Sequence, residues 1–273
     1  MKNILIATFS ILLFVQCTTA IIEPTGLVME NAMVVSAREE ASKIGVEIMK
    51  KGGNAFDAMV ATQFALAVAH PSAGNISGGG FMVYRKDNGD IGSLDFREKA
   101  PLSAHKDMYL DSTGTVIPEM STVGATAVGV PGSVAGALAV HEKFGSLPLS
   151  EILAPVIALA ERGVVVTKKQ EEKLAPYKEI FKRVNGENGK FSKEYVAGDT
   201  IKYEALAKTL RSISDHGRDG FHKGEIAKKL ANFIQENGGY VTVEDLENYK
   251  AVWREPVLFD YKDIKIISMG PPS

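Results

Sequence analysis

Early in the chain, Ala37, Ala41, Ile44 and Ile48 recur at helical spacing, and the run closes on Lys50-Lys51-Gly52-Gly53. Apolar residues every three to four positions mark one face of a helix, and lysine in the last turn followed by glycine is how such a helix stops. Met33–Ser36, just before it, reads as a strand. Asn54 then offers a side-chain oxygen to cap a second helix, "AFDAMVATQFALAVAH", which is apolar nearly all round except at Asp57, Thr62 and Gln63. A helix with no polar face belongs inside a layered fold, and its many alanines let it lie close against a sheet. Pro71 ends it.

The period then changes from helix to strand. Phe81–Arg85 and Ile91–Arg97 read as two strands joined at Asn88-Gly89, a strong hairpin dipeptide. Alternation along the second strand sets Leu94 and Phe96 on one face and Asp95 and Arg97 on the other, so Arg97 leaves the core at a strand end. In "GATAVGVPGSVAGALAVHEKFG" the pattern predicts a strand of small and branched residues, a turn at Pro131-Gly132 and a helix from Ser133 to Phe144. "LPLSEILAPVIALAERG" predicts an amphipathic helix ending at Gly163, bent at Pro155. Lys168 to Gly239 reads as mostly helical and more charged. Thr242 with Asp245 resembles a capping box for one more short helix, and "VLFDYKDIKIIS" reads as a final hairpin. Grouped strands with helices before and between them, without regular alternation, predict α+β layering rather than a doubly wound sheet.

Composition narrows the choices. With 273 residues, 45% hydrophobic and 23% charged, the chain has the balance of an ordinary globular protein able to bury a sizeable core. Its net charge of -2, with Lys and Glu interspersed, excludes nucleic acid as a partner. Residues 1–20 stand apart: Lys2 precedes an apolar run from Ile4 to Val15 that is too short for a bilayer but suits a signal peptide. Thr18-Thr19-Ala20 offers an ordinary cleavage site, while a cut before Cys17 would make that residue the lipidated start of a lipoprotein. Either way the expectation is export, to the periplasm or to a lipid anchor, with residues 21–273 as the working domain.

Candidate chemistry is first a matter of elimination. Cys17 is the only cysteine, so there is no disulfide framework and no Cys nucleophile in the mature chain. The histidines show no metal-ligand spacing with Cys or acidic partners, so no metal site is expected. No phosphate loop ends in Gly-Lys-Ser/Thr, the run Gly78-Gly79-Gly80 lacks the dinucleotide spacing, and no serine sits in a nucleophile elbow. In "GNISGGGF", Gly74 to Phe81, consecutive glycines cost entropy on folding with no side chain to bury in return.

Four segments then carry a resemblance, in order and in spacing, from Val34 to Ser273. "GGNAFDAMVATQFALAVAHPSAGNISGGGFMVYR", "LDFREKAP", "VGVPGSVAGALAVHEKFG" and "MGPPS" resemble signature blocks of the gamma-glutamyltranspeptidase family. The resemblance implies a four-layer αββα sandwich of the N-terminal-nucleophile hydrolase type, made as one precursor that cuts itself into a large and a small subunit. It implies hydrolysis of glutathione and other gamma-glutamyl compounds, or transfer of the gamma-glutamyl group to amino acids or peptides, without a cofactor. The nucleophile it implies is the threonine exposed at the start of the small subunit. No threonine here sits in the Thr-Thr-His type of context expected at that cut, and "MGPPS" falls inside a family block. The chain is therefore expected to be the front part of a large subunit, with an incomplete sandwich, no catalytic residue of its own and no activity alone.

Within that resemblance, Arg97 of "DFRE" matches the arginine that binds the substrate's α-carboxylate. From the residues alone the favoured reading is a surface arginine or one paired with neighbouring Asp95 or Glu98. Asn75 and the neighbouring glycines match a segment that lets backbone pass tightly between the buried helix and the sheet, which is a structural role. Two alternatives stay open: a related acylase that removes a dicarboxylic acyl group, which shares every motif, and a non-catalytic truncated surface lipoprotein.

Overall fold

The structure, a computed structural model, describes residues 26–271. The expected signal peptide and the lipidation candidate Cys17 lie outside the described residues. The chain divides into two units, Met1–Met33 and Val34–Ser273. In the first, residues 26–33 carry no helix or strand. The strand expected over Met33–Ser36 does not form. Among the described residues no strand pairs with it, Val35 is exposed, and the Ser36 hydroxyl donates to the Arg38 carbonyl and turns the chain into the first helix.

Helix α1, Glu39–Lys50, buries the stripe Ala41, Ile44 and Ile48, and Gly52 just past its end takes the left-handed φ of 96° that closes it. Helix α2, Ala55–Ala69, starts on Asn54, whose side chain accepts from the Phe56 and Asp57 N–H groups while the Asp57 carboxylate accepts from the Asn54 N–H. Val60, Ala61, Phe64, Ala65 and Val68 are buried, so α2 is an inner helix, as its all-round apolar sequence predicts. The two helices meet at Gly45, where a Cβ would collide with the Thr62 hydroxyl.

Strands β1, Phe81–Arg85, and β2, Ile91–Asp95, form the expected hairpin, with Gly89 at φ 91° in its turn. The second strand ends two residues before Arg97, because the Arg97 N–H turns to the Asp95 carboxylate instead of a ladder partner. The strand expected after Gly124 is also absent. A short 3₁₀ turn, Ala125–Ala127, takes its place; the Thr126 hydroxyl donates to the Met120 carbonyl, and only Val130 bridges, to Lys99.

Helices α3, Ser133–Phe144, and α4, Leu149–Arg162, follow as expected, and α4 runs through Pro155 unbroken. The ladder β3, Val164–Val165, with β4, Thr200–Ile201, brackets helices α5, Lys168–Leu174, and α6, Lys178–Asn185. Then come α7, Glu204–His216, α8, Asp219–His222, α9, Gly224–Glu236, and α10, Val243–Asn248, the last capped by Thr242 and Asp245 as its sequence predicts. Strand β5, Val252–Arg254, joins the first hairpin in an antiparallel sheet ordered β1-β2-β5. Strands β6, Val257–Tyr261, and β7, Ile264–Ser268, pair only with each other among the described residues.

The α+β class expected from the sequence holds, with antiparallel pairing throughout. One core gathers α1 to α4 and α7 against β1 and β2, and a smaller one gathers Val130, Ala135, Ala227, Ala231, Val241, Leu246 and Tyr249. Among the described residues no helix is long and apolar enough to cross a membrane.

Candidate functional site

Arg97 sits where β2 gives way to an irregular segment, and Phe96 just before it fixes where that exit points. Phe96 is 3% exposed, belongs to the main core, and is approached closely by glycines. A Cβ on Gly80 would come 2.9 Å from its ring and one on Gly136 would collide with the side chain outright, while one on Gly132 would run into the Phe96 carbonyl oxygen and the Tyr249 hydroxyl. A Cβ on Gly79 would stand 2.6 Å from the Phe96 carbonyl oxygen and from the Glu98 nitrogen. The Gly78 carbonyl accepts from Gly132 at 2.8 Å and Ser133 at 2.9 Å, joining the glycine run to the start of α3. The consecutive glycines therefore serve close backbone approach around one phenylalanine, and Asn75 lies against them, its Oδ1 3.1 Å from where a Gly78 Cβ would stand.

The Arg97 side chain is 52% exposed. Its Nε lies 3.3 Å from Glu98 Oε2, and its guanidinium lies 5.7 Å from the centre of the Phe81 ring. An ion pair between groups this open contributes about 0–1 kcal/mol, so Glu98 does not lock the guanidinium against a competing carboxylate. Of the two acidic neighbours that the sequence offered, only Glu98 pairs with the Arg97 side chain. The Asp95 carboxylate instead accepts the Arg97 backbone N–H on Oδ1 at 3.0 Å. Its Oδ2 accepts from Arg254 Nε on β5 at 2.9 Å, and Nη2 of the same guanidinium completes the ion pair at 2.8 Å.

On the other side of the same residue, the carbonyl of the next peptide is also held. The Tyr249 hydroxyl donates to the Arg97 carbonyl oxygen at 2.7 Å. Burial first, and then the charges of Asp95 and Glu98, push the Tyr249 phenol well above its ordinary pKa, so it stays protonated and able to donate. Sequence reasoning missed Tyr249 and Arg254. The only signal was Asp95 and Arg97 on the same strand face, and nothing local says which residues from the far end of the chain meet them.

Arg97 lines neither of two grooves on the surface of the described residues. A groove of about 850 Å³ runs along Phe56, Tyr84, Lys86, Lys143 and Phe144, and a second of about 460 Å³ lies between Val123–Pro131, α6 and α9. Among the described residues no group of three or more His, Cys, Asp and Glu could hold a metal ion. What the site offers is a half-open planar cation on a fixed backbone, suited to a carboxylate through two parallel hydrogen bonds.

The model of the gamma-glutamyltranspeptidase family matches residues 41–273. A glutathione hydrolase proenzyme of Pseudomonas sp. (strain A14) is 44% identical over 248 residues, covering 89% of this chain and 43% of the relative. That of Escherichia coli (strain K12) is 44% identical over 250 residues, with the same 89% and 43% coverage. The crystal structure of Helicobacter pylori gamma-glutamyltranspeptidase superposes with a TM-score of 0.87 at 44% identity, over 90% of this chain and 72% of that one. The chain thus spans less than half the length of the curated relatives that it matches.

Proposed function

The chain belongs to the gamma-glutamyltranspeptidase family, and from that premise we propose that it supplies the α-carboxylate clamp of an enzyme that hydrolyses or transfers gamma-glutamyl groups. The substrates are glutathione and other gamma-glutamyl compounds, and the acceptors are water, amino acids or peptides. In this reading the chain is the front part of the large subunit in a four-layer αββα sandwich. The small subunit of the same precursor brings the threonine.

The threonine hydroxyl attacks the gamma-carbonyl and passes its proton to the threonine's own amine, and the amide nitrogen leaves carrying a proton. Water or an amine then takes the acyl group from the resulting ester. Throughout, Arg97 grips the far end of the glutamyl chain and sets the distance from carboxylate to reacting carbonyl. Residues 1–20 fit export of the precursor, to the periplasm or, through Cys17, to a lipid anchor. The observation that carries the proposal is the geometry of Arg97: a guanidinium open to solvent on a backbone held at both N–H and C=O.

The test joins this chain, in place of the aligned segment, to the rest of the Pseudomonas sp. (strain A14) proenzyme and follows turnover of a gamma-glutamyl anilide. Arg97→Met should lower kcat/KM by about thirty-fold to several thousand-fold, the equivalent of roughly 2–5 kcal/mol for one lost partner of a charge pair. Arg97→Lys keeps the charge without the fork and should fall between. Because the contact is the same in ground and transition states, most of the loss should appear in KM. Self-cleavage needs no free carboxylate, so maturation should survive. A kcat/KM for Arg97→Met within about two-fold of the parent would leave Arg97 a surface ion-pair residue.

A further inference from the structure

We propose that Tyr249 is a positioning residue for Arg97, an inference that rests on the carboxylate reading above. The Arg97 guanidinium is restrained by an exposed glutamate and by its packing on the Phe81 ring, so its reach is set by the orientation of the backbone at Arg97. Arg97 lies past the last rung of β2, where no strand holds it. Its N–H is taken by Asp95, and the partner of its carbonyl among the described residues is the Tyr249 hydroxyl.

That hydroxyl is a fixed point because everything around it is fixed. Tyr249 is 2% exposed. Its ring stacks on the buried His222 ring at 5.7 Å and 19°, and Lys99 Nζ lies 4.9 Å from its centre while donating to the Lys250 carbonyl. Arg218 Nη2 donates to the Glu247 and Tyr249 carbonyls at 2.7 Å each, pinning the chain where α10 ends. Losing the phenol would free the 97–98 peptide plane to rotate and carry the Arg97 side chain off the substrate carboxylate. A misplacement of about 1 Å is enough to matter at a site that works by orientation.

The test uses the joined enzyme. Tyr249→Phe keeps the ring and its stacking but loses the hydroxyl, and should raise KM for the gamma-glutamyl anilide about three- to ten-fold with kcat within about two-fold. Product inhibition by glutamate should weaken by the same factor, whereas inhibition by 4-aminobutanoate, which lacks the α-carboxylate, should not move. In an Arg97→Met background the same change should cost under about 1.5-fold, because there is no guanidinium left to position. Arg254→Gln, at a half-exposed residue that folding should tolerate, loosens Asp95 and reads the clamp from its N–H side. It should give the same carboxylate-selective loss even if Tyr249→Phe matures poorly. Equal losses for glutamate and 4-aminobutanoate, or the same factor in both backgrounds, would make Tyr249 a packing residue and overturn the inference. A silent Arg97→Met would instead overturn the carboxylate reading itself.

Discussion

His222 is fully buried, and its two ring nitrogens differ. Nδ1 lies 2.9 Å from the Leu246 carbonyl oxygen, so it must carry the proton, and Nε2 has no partner among the described residues. A second proton would place a charge on Nε2 with nothing to accept it. Burial above all, with Arg218 nearby, holds the His222 pKa down to about 4 from the ordinary 6.5. Between these values the unfolded chain binds more protons than the folded one, so stability rises with pH across that window. Seen from neutral pH, stability falls as pH drops through 6.5 and levels off below about 4, a loss of at most about 3 kcal/mol from this group. Urea unfolding at intervals from about pH 4 to 7.5 should show that slope, and His222→Gln, which has no titrating ring, should flatten it. Identical slopes for the two proteins would mean that His222 does not couple folding to pH. His222 is the surface on which Tyr249 stacks, and because the folded ring stays neutral down to about pH 4, the hold on Arg97 should persist in the folded molecule across that window.

At the scale of elements, α3 sets helix propensity against packing. Gly136 lies inside the helix, where alanine is ordinarily favoured by about 1 kcal/mol. Here a Cβ would run into the Phe96 side chain, whose ring Gly80 also approaches closely. Overpacking a close-packed core costs about 1–3 kcal/mol, so Gly136→Ala should destabilise despite the gain in propensity, and thermal unfolding measures the sign directly. An increase in Tm would show that Phe96 has room to move. The elements legible in the sequence were those whose causes are local. The Asn54–Asp57 and Thr242–Asp245 caps close within three residues, and α3 follows its Pro-Gly turn with the boundaries its pattern predicts. The direction of Arg97 came from strand alternation alone. What failed was whatever needed a distant partner: Met33–Ser36 has strand-like residues but no strand beside it, and the segment after Gly124 closes on itself through Thr126. The β3–β4 ladder is two residues long on each side, too short to leave a periodic signal.

Across the molecule, stability is unevenly spread. The β1-β2-β5 sheet lies against the main core, with Leu94 fully buried, whereas Leu258, Phe259, Tyr261 and Ile264 of the β6–β7 hairpin are 50%, 49%, 56% and 54% exposed. Amides of the hairpin should therefore exchange with solvent deuterium far sooner than those of β1 and β2, through local opening that leaves the core intact. Protection of the hairpin equal to that of β2 would mean that the two open together. The residues that hold the Arg97 backbone lie 152 and 159 positions from their partners, Tyr249 from Arg97 and Arg254 from Asp95. On a ribosome, where the chain emerges from its N-terminus, α1 to α4 and the first hairpin are made long before either clamp exists. A nascent chain halted near residue 240 would hold most of its core with the arginine still unmoored, so ordering of this site reports that synthesis has passed Arg254.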